Sequence, residues 1–224
     1  MTEPSRLEPW RRFGHSPILQ YEIGPLQNLV YLIVDAGSRK ALWVDPQRNL
    51  ETPEADILAH GLSLEGILLT HTHADHTAGV MPLIEKHPGL PVYLHPLDAH
   101  RLDAGRLDSH LHFLEDAHHL QLGRSFIRAF HTPGHSAGAL SYEIEGNLLT
   151  GDTLFIRDCG RTDLPTGSTK EMFATLQRYK SMDPGLRIFP GHHYREEYWS
   201  TLADERRTSP PLRCGSAAEL EALP

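Results

Sequence analysis

The chain has 224 residues and a formal net charge of −8, with hydrophobic residues at 39% and charged residues at 22%. This composition excludes a wholly disordered chain and favours a single globular domain. The acidic balance disfavours a protein that binds nucleic acid through its phosphates. Cys159 and Cys214 are too few for a disulfide framework or a thiolate metal cage, whereas the 16 histidines are unusually many.

The N-terminal segment contains Pro4, Glu8 and Pro9 and has no apolar run, so we expect no secretory signal. No stretch reaches the roughly 18 apolar residues that a spanning helix needs. We therefore expect a cytoplasmic protein without a membrane partner. We divide the sequence into a lead-in (1–17), one domain (18–207) and a docked or frayed C-terminal tail (208–224).

The domain begins with three β-rich runs, which turn residues separate. We predict antiparallel strands over residues 18–23, 29–34 and 41–44. A helix should follow, with Thr52 as its N-cap and Pro53 at its first position, and Gly61 should end it.

Strands and helices then alternate. A strand over 66–70, a helix over 77–87 and a strand over 92–94 would form one βαβ unit. Residues 96–122 are polar and weakly helical, and we interpret them as a lid or surface helix that carries His112, His118 and His119 without a ligand role.

The second half repeats the strand-rich pattern. We predict strands over 126–130, 139–144, 148–150 and 186–189. Between them, the capping box Ser168–Glu171 should open a helix whose core residues include Met172 and Phe173. Strands early and late with helices between them indicate a layered α/β fold with helices outside stacked sheets.

The motif His71-Thr72-His73-Ala74-Asp75-His76 directly follows the apolar run Ile67–Leu69. Three more predicted strand ends lead through a glycine to a possible ligand, namely Gly134 to His135, Gly151 to Asp152 and Gly191 to His192. Strand ends at one edge of a sheet converge on a crevice, so these side chains should meet.

Seven candidate ligands are too many for one tetrahedral ion but suit two ions that share a carboxylate. Neutral imidazoles and carboxylates are suitable for zinc, manganese or iron. The ions would bring the pKa of a bound water near 7, which makes a hydroxide nucleophile available at neutral pH. The pattern therefore predicts a two-metal hydrolytic site.

In the order H-T-H-A-D-H, H-T-P-G-H, T-G-D-T-L-F and P-G-H-H-Y, these motifs resemble those of the metallo-β-lactamase superfamily over about residues 18–207. The resemblance implies an αββα four-layer sandwich. It implies one ion on His71, His73 and His135, a second ion on Asp75, His76 and His192, and Asp152 as the bridge. Lactamases of this fold typically have cysteine where Asp152 stands and carry export signals, so lactamase activity is not expected.

Two branches of the superfamily remain. Glyoxalase II-like thioester hydrolases are similar at Asn28, at Val44–Pro46, at Gly151–Phe155 and at Gly191–Tyr194, and they hydrolyse substrates such as S-lactoylglutathione. This branch implies two divalent ions, with zinc as first choice and iron or manganese as alternatives. We favour the hydrolase, acting on a small-molecule thioester or another glutathione-derived substrate, as a monomer or homodimer without a nucleic-acid partner.

The alternative is a glutathione persulfide dioxygenase. Those enzymes are similar at His73–His76, at Ile156-Arg157 and at Cys159–Asp163, and resemblance to them would place a single non-haem iron on His71, His135 and Asp152. Because the other histidines persist in that branch, the ligand set alone does not separate the two activities.

We predict Asp75 and His76 as catalytic residues, with Asp75 orienting the nucleophile. Arg161 could dock an anionic thiol carrier through its planar fork. However, glyoxalase II has lysine and tyrosine where Arg161 and Asp163 stand, and it adds a helical C-terminal domain. Tyr194 could donate to a developing oxyanion or form a wall of the pocket, and Cys159 could pack in a loop or contact substrate.

Overall fold

The computed structural model describes residues 18–223, which form two six-stranded sheets and a small hairpin. The first sheet has the order β1 (Ile18–Ile23), β2 (Asn28–Asp35), β3 (Lys40–Val44), β4 (Ser63–Leu68), β5 (Val92–Leu94), β6 (Leu111–Phe113). The second has the order β7 (His119–Leu122), β8 (Ser125–His131), β9 (Leu140–Ile144), β10 (Asn147–Gly151), β13 (Arg187–Pro190), β14 (Ser200–Thr201). The hairpin pairs β11 (Leu154–Phe155) with β12 (Asp158–Cys159).

Residues 18–223 form eight α-helices and one 3₁₀ helix, of which the longer ones pack on the outer faces of the sheets. The helices are α1 (Glu51–Ala59), α2 (Ala74–Thr77), α3 (Val80–Lys86), a 3₁₀ helix (Pro96–Arg101), α4 (Ala104–Leu107), α5 (Thr169–Ser181), α6 (Leu202–Thr208), α7 (Pro210–Arg213) and α8 (Ala217–Glu221). Among residues 18–223, no helix combines the length and apolar character needed to cross a membrane.

Side-chain alternation on the fully buried strand β2 shows how the layers are built. Leu29 and Ile33 point into the core between the sheets, where they meet residues such as Tyr142 and Phe189 of the second sheet. The intervening Val30, Leu32 and Val34 point the other way, into the core beneath α1 and α3. A third core lies between the second sheet and α5. The predicted αββα four-layer sandwich is therefore confirmed.

Most predicted strands are present. The opening strands β1–β3 are antiparallel as predicted, and β4 and β5 form the parallel pair of the βαβ unit. Ser168 caps α5 by accepting a hydrogen bond from the backbone N–H of Glu171 at 3.3 Å.

Two helix predictions need correction. The first helix begins at Glu51 rather than after Thr52, because the Glu54 N–H already bonds to the Leu50 carbonyl at 2.9 Å. Pro53 fits inside this first turn, where backbone N–H groups have no helical partner. The predicted helix 77–87 begins later, as α3 at Val80, and a separate short helix, α2, precedes it. Gly79 lies between the two, where it donates to the Pro46 carbonyl at 2.8 Å and packs tightly against that loop.

The prediction of a lid or surface helix over residues 96–122 is wrong. This segment contains a 3₁₀ helix, the short helix α4 and the edge strands β6 and β7. Leu114 and Leu122 are buried in the core between the sheets. The prediction missed them because it relied on the overall polar composition of the segment. His112 lies on β6 and His119 on β7, and both are exposed, as is His118.

The segment after residue 208 is docked. Its helices α7 and α8 place Leu212 and Leu220 in the core beneath α5, and Cys214 is buried with them. The sequence-based division into domain and tail stays a prediction, and the lead-in 1–17 lies outside the described residues.

Candidate metal centre

All seven predicted ligands lie at one edge of the two sheets. His71, His73, Asp75 and His76 follow β4, while His135, Asp152 and His192 come shortly after β8, β10 and β13. The parallel pairs β3–β4 and β10–β13 end at this edge, which explains why distant segments converge there.

The first triad consists of His71, His73 and His135, whose ligand atoms lie within 4.8 Å of one another. His135 Nε2 is 2.9 Å from His73 Nδ1. The rings of His71 and His135 are edge-on, with their centroids 4.9 Å apart.

The second triad consists of Asp75, His76 and His192. Asp75 Oδ2 lies 3.5 Å from His76 Nε2 and 3.4 Å from His192 Nε2, and the two histidine nitrogens are 3.2 Å apart. The structure therefore brings together each of the two sets that the resemblance implied.

Asp152 lies between the triads and reaches two members of each. Its Oδ2 is 3.9 Å from His71 Nε2 and 3.6 Å from His135 Nε2. On the other side, Oδ2 is 3.3 Å from His192 Nε2 and Oδ1 is 3.4 Å from His76 Nε2. This position suits a carboxylate that joins two cation sites.

The outer ring nitrogens of four histidines contact fixed oxygen atoms. The Nδ1 contacts are His71 with Thr70 Oγ1 (3.1 Å), His76 with Asp45 Oδ2 (3.1 Å), His135 with the Arg161 carbonyl (2.8 Å) and His192 with the Leu26 carbonyl (2.8 Å). Carbonyl and carboxylate oxygens only accept, so the Nδ1 atoms of His76, His135 and His192 carry a proton, and in the neutral, metal-binding state of each ring Nε2 presents a lone pair to the centre.

Thr70 fixes the same tautomer for His71. Its hydroxyl donates its one proton to Asp45 Oδ2 at 2.6 Å, so the hydroxyl oxygen must accept from His71 Nδ1. His71 Nε2 is then a bare lone pair, buried and without a hydrogen-bond partner among the described residues. Buried polar atoms are rarely left unpaired, and a cation at this point would satisfy the atom. The donor set therefore fits metal ions.

The electrostatics differ between the triads. Burial, with the charge of His76 as the next contribution, lowers the pKa of His71 well below its usual value. Burial, with His135 and Arg101 nearby, also lowers the pKa of His73 to about 4. Both imidazoles are therefore neutral near pH 7, the state in which histidine binds a metal.

In the second triad, carboxylates outweigh burial. Burial works to lower the pKa of His192, but Asp152 and Asp75 raise it to about 9. Burial likewise opposes charge on His76, and Asp152 and Asp45 raise its pKa well above the usual value. The carboxyl of Asp75 is held ionised despite burial, because His192 and His76 lower its pKa.

The glycines that precede the ligands allow close backbone approach. Gly151 has φ +51°, and a Cβ on it would lie 2.4 Å from Thr70 Oγ1. A Cβ on Gly191 would lie 2.1 Å from Asp152 Oδ1. Both positions require glycine, the first for its backbone conformation and both for space.

Supporting residues that sequence reasoning gave no role are Asn28, Asp45 and Asp98. Asn28 Nδ2 donates to Asp75 Oδ2 at 3.0 Å. Asp45 accepts from the Thr70 N–H at 2.7 Å as well as from the side chains of Thr70 and His76. Asp45 directly follows β3, so the signal that identified the ligands, a polar residue after a buried strand, could have found it too.

The predicted substrate contacts lie near the centre but differ in exposure and in their present partners. Tyr194 is half exposed and stacks on the His192 ring, with centroids 4.9 Å apart and an interplanar angle of 9°. The Arg161 guanidinium is exposed and makes two 2.7 Å bonds to Asp163, so a substrate carboxylate would have to displace that partner. Burial raises the pKa of Cys159 to about 12, which keeps its thiol protonated.

Comparison with known proteins gives one family. The sequence profile of the metallo-beta-lactamase superfamily matches residues 23–192. The probable polyketide biosynthesis zinc-dependent hydrolase BaeB of Bacillus velezensis is 33% identical over 172 residues, which cover 76% of this chain and 75% of BaeB.

Relatives from both branches are also found. The hydroxyacylglutathione hydrolase of Alkalilimnicola ehrlichii is 36% identical over 167 residues, covering 75% of this chain and 62% of that enzyme. The human mitochondrial persulfide dioxygenase ETHE1 is 32% identical over 186 residues, covering 81% of this chain and 70% of that enzyme. Among solved structures, TTHA1623 in a di-iron-bound form is 34% identical, with a TM-score of 0.72 over 86% of this chain and 98% of that chain.

Proposed function

The chain belongs to the metallo-beta-lactamase superfamily, and on that premise we propose that it is a thioester hydrolase of the glyoxalase II-like type that uses two divalent ions, with zinc as first choice. Such ions, when bound, supply Lewis acidity and lower the pKa of a coordinated water to near neutrality. Asp152, between the triads, would contact both ions.

The observation that carries the proposal is that Asp75 is ionised and lies between His76 and His192. Asn28 holds this carboxylate toward His76 and His192, which completes a second triad as compact as the first. An ionised Asp75 can also accept a hydrogen bond from an attacking water and so orient it toward a carbonyl carbon. Both functions suit hydrolysis with two ions.

A groove next to the centre offers room for the thiol carrier. This cavity of about 600 Å³ is lined by residues that include Gln27, Arg157, Tyr194 and Arg195. Tyr194 joins the groove to the metal centre through its stack on His192. Arg157 is paired with Glu197 and Arg195 with Asp158, so an acidic carrier would exchange partners with exposed ion pairs.

The alternative, glutathione persulfide dioxygenase activity, keeps support from the Arg161–Asp163 pair. These residues belong to the Cys159–Asp163 stretch on which the resemblance to persulfide dioxygenases rests, and their side chains form a bidentate ion pair on the surface of that loop. The similarity to ETHE1 covers most of the chain.

Paired assays separate the two activities. The protein, purified without added metal, is analysed for zinc, iron and manganese and assayed for S-lactoylglutathione hydrolysis and for oxygen uptake with glutathione persulfide. We expect about two ions per chain, thioester hydrolysis and no oxygen uptake. One iron per chain with oxygen uptake would instead support the dioxygenase and contradict the proposal.

Asp75→Asn gives a second test, because it removes the charge but keeps the shape. We expect hydrolysis to fall and the second ion to bind more weakly. Asp108→Asn is the matched control, since Asp108 is an exposed carboxylate that makes no hydrogen bond or ion pair with either triad within residues 18–223. Equal hydrolysis in wild type and Asp75→Asn would contradict the role of Asp75.

A further inference from the structure

Asp98 is a fully buried carboxylate that the proposed chemistry does not use. It lies in the 3₁₀ helix Pro96–Arg101, and its exposed fraction is 0%. Its oxygens accept hydrogen bonds from Thr72 N (3.3 Å), Ser136 Oγ (2.8 Å) and Gly138 N (2.9 Å), and Arg101 Nη1 forms an ion pair with it at 3.5 Å. A buried charge with this many partners holds those partners in one arrangement.

The partners of Asp98 belong to the two loops that carry the first triad. Thr72 lies between His71 and His73, and Ser136 directly follows His135. Thr72 is held twice, because its hydroxyl also donates to the Asp98 carbonyl at 2.8 Å. Asp98 therefore connects the loop of His73 to the loop of His135, whose ring nitrogens are 2.9 Å apart.

Arg101 extends the connection to a third segment. Its Nη2 donates to the Pro165 carbonyl at 2.5 Å and to Thr166 Oγ1 at 2.9 Å. Ser168, two residues further along, donates from its N–H to the Gly134 carbonyl at 2.8 Å. The loop around His135 is thus supported on both sides.

We propose that Asp98 is a positioning residue that sets the spacing of His73 and His135 and thereby the metal affinity of the first triad. Within residues 18–223, its hydrogen bonds and ion pair involve no member of the second triad. The effect of Asp98 should therefore be selective for one of the two ions. This inference rests on the proposed two-ion site.

Asp35 provides a matched control. It is also a buried carboxylate, and it accepts from the N–H groups of Ser38 (2.8 Å), Arg124 (2.7 Å) and Ser125 (3.2 Å). It lies at the opposite end of β2 from Asn28, about 23 Å away at roughly 3.3 Å per strand residue. Asp35→Asn should cost stability as Asp98→Asn does, without touching the metal loops.

The test is a titration of the metal-free full chain with Co²⁺, followed by visible absorption and by metal analysis after dialysis. His192→Ala, whose second triad is broken, identifies the absorption of the first site. We expect wild type and Asp35→Asn each to bind two ions, and the affinity of each site to be the same in both proteins. In Asp98→Asn, the first site should bind Co²⁺ about tenfold more weakly or worse, with the second site unchanged.

Ser136→Ala is a milder variant that removes one donor to Asp98 and keeps the buried carboxylate paired. It should weaken the same site several-fold, and it tests the inference even where Asp98→Asn fails to fold. Wild-type affinity at both sites in Asp98→Asn or in Ser136→Ala would overturn the inference, as would equal weakening of both sites. A wild-type chain that binds no Co²⁺ would overturn the proposed metal site itself and this inference with it.

Discussion

The two triads are similarly compact but have opposite charge balance. His71, His73 and His135 contain no carboxylate, and burial drives the pKa of His71 and His73 down. In the second triad Asp75 is ionised, and carboxylates raise the pKa of His76 and His192.

This difference shows what each triad needs from its surroundings. The ring nitrogens of His73 and His135, 2.9 Å apart, can share at most one hydrogen bond and have no carboxylate of the triad between them, so their spacing depends on other contacts, of which Asp98 supplies several. The second triad contains attraction of its own, and it needs Asn28 mainly to direct the carboxylate. A substitution at a residue that contacts both triads should therefore weaken both ions, whereas a substitution at a residue that contacts one triad should weaken one ion.

The largest effect is expected at the shared residue. Asp152→Ala removes the carboxylate that contacts both triads, so activity should fall on the order of 10³-fold or more and both ions should bind weakly. His71→Ala should also abolish turnover, but it should weaken only the ion in the first triad. Asp108→Ala, which removes an exposed carboxylate with no hydrogen bond or ion pair to either triad within residues 18–223, is the control for both. Near-wild-type turnover in Asp152→Ala would refute the shared role.

Gly191→Ala should also disturb both triads, though less severely. The added methyl group would meet Asp152 Oδ1 at 2.1 Å and His76 Cε1 at 3.1 Å, so the bridging carboxylate must move. We expect a loss of activity and of metal affinity with little change in secondary structure, measured by assay, metal analysis and circular dichroism. Gly215→Ala, where the nearest atom is 3.5 Å away, should behave like wild type. Unchanged metal binding in Gly191→Ala would contradict this packing argument.

Asn28→Ala should affect the second triad alone. Loss of the amide that holds Asp75 should weaken the second ion about 10–100-fold and leave the first in place, as measured by Co²⁺ titration. Asn147→Ala is the matched control, because Asn147 is a similarly buried amide whose Nδ2, within the described part of the chain, bonds only to carbonyls of its own turn. Equal loss of both ions in Asn28→Ala would show that the triads are not separable.

The smallest effect on activity is expected for Asp35→Asn, which should lower stability instead. Burial opposes charge on Asp35, but the donors at Ser38 and Arg124 hold its pKa below the usual value. Its stabilising contribution is therefore present above the unfolded pKa of about 3.9 and is lost as pH falls through the lower folded value. Urea unfolding should show a deficit of about 1–3 kcal/mol at pH 7 that shrinks in acid. A deficit that grows in acid would have the wrong sign.

Most ligands of the metal centre could be predicted because they directly follow the ends of buried strands. A buried run, a glycine and a ligand recur before His135, Asp152 and His192, and close packing of β-strands then decides where those residues meet. Turn residues between β-rich runs predicted the antiparallel opening, and the capping box Ser168–Glu171 predicted the helix α5. Local sequence is informative there because each element is bounded by its own turn or cap.

The supports could not be predicted in the same way. Asp98 lies in a polar segment, 96–122, whose average character suggested a surface helix, and its role depends on loops 26 to 40 residues away. Asn28 is the first residue of β2, and only its contact with Asp75 reveals that its side chain supports the site. Such long-range polar contacts leave no periodic pattern in the chain.

The central claim is that the seven side chains hold two ions, one in each triad, with Asp152 between them. The most direct test is an anomalous difference map from crystals of protein that was purified without added metal. We predict two peaks, one among His71, His73 and His135 and the other among Asp75, His76 and His192. A single peak in the first triad, or no peak at either, would contradict the claim.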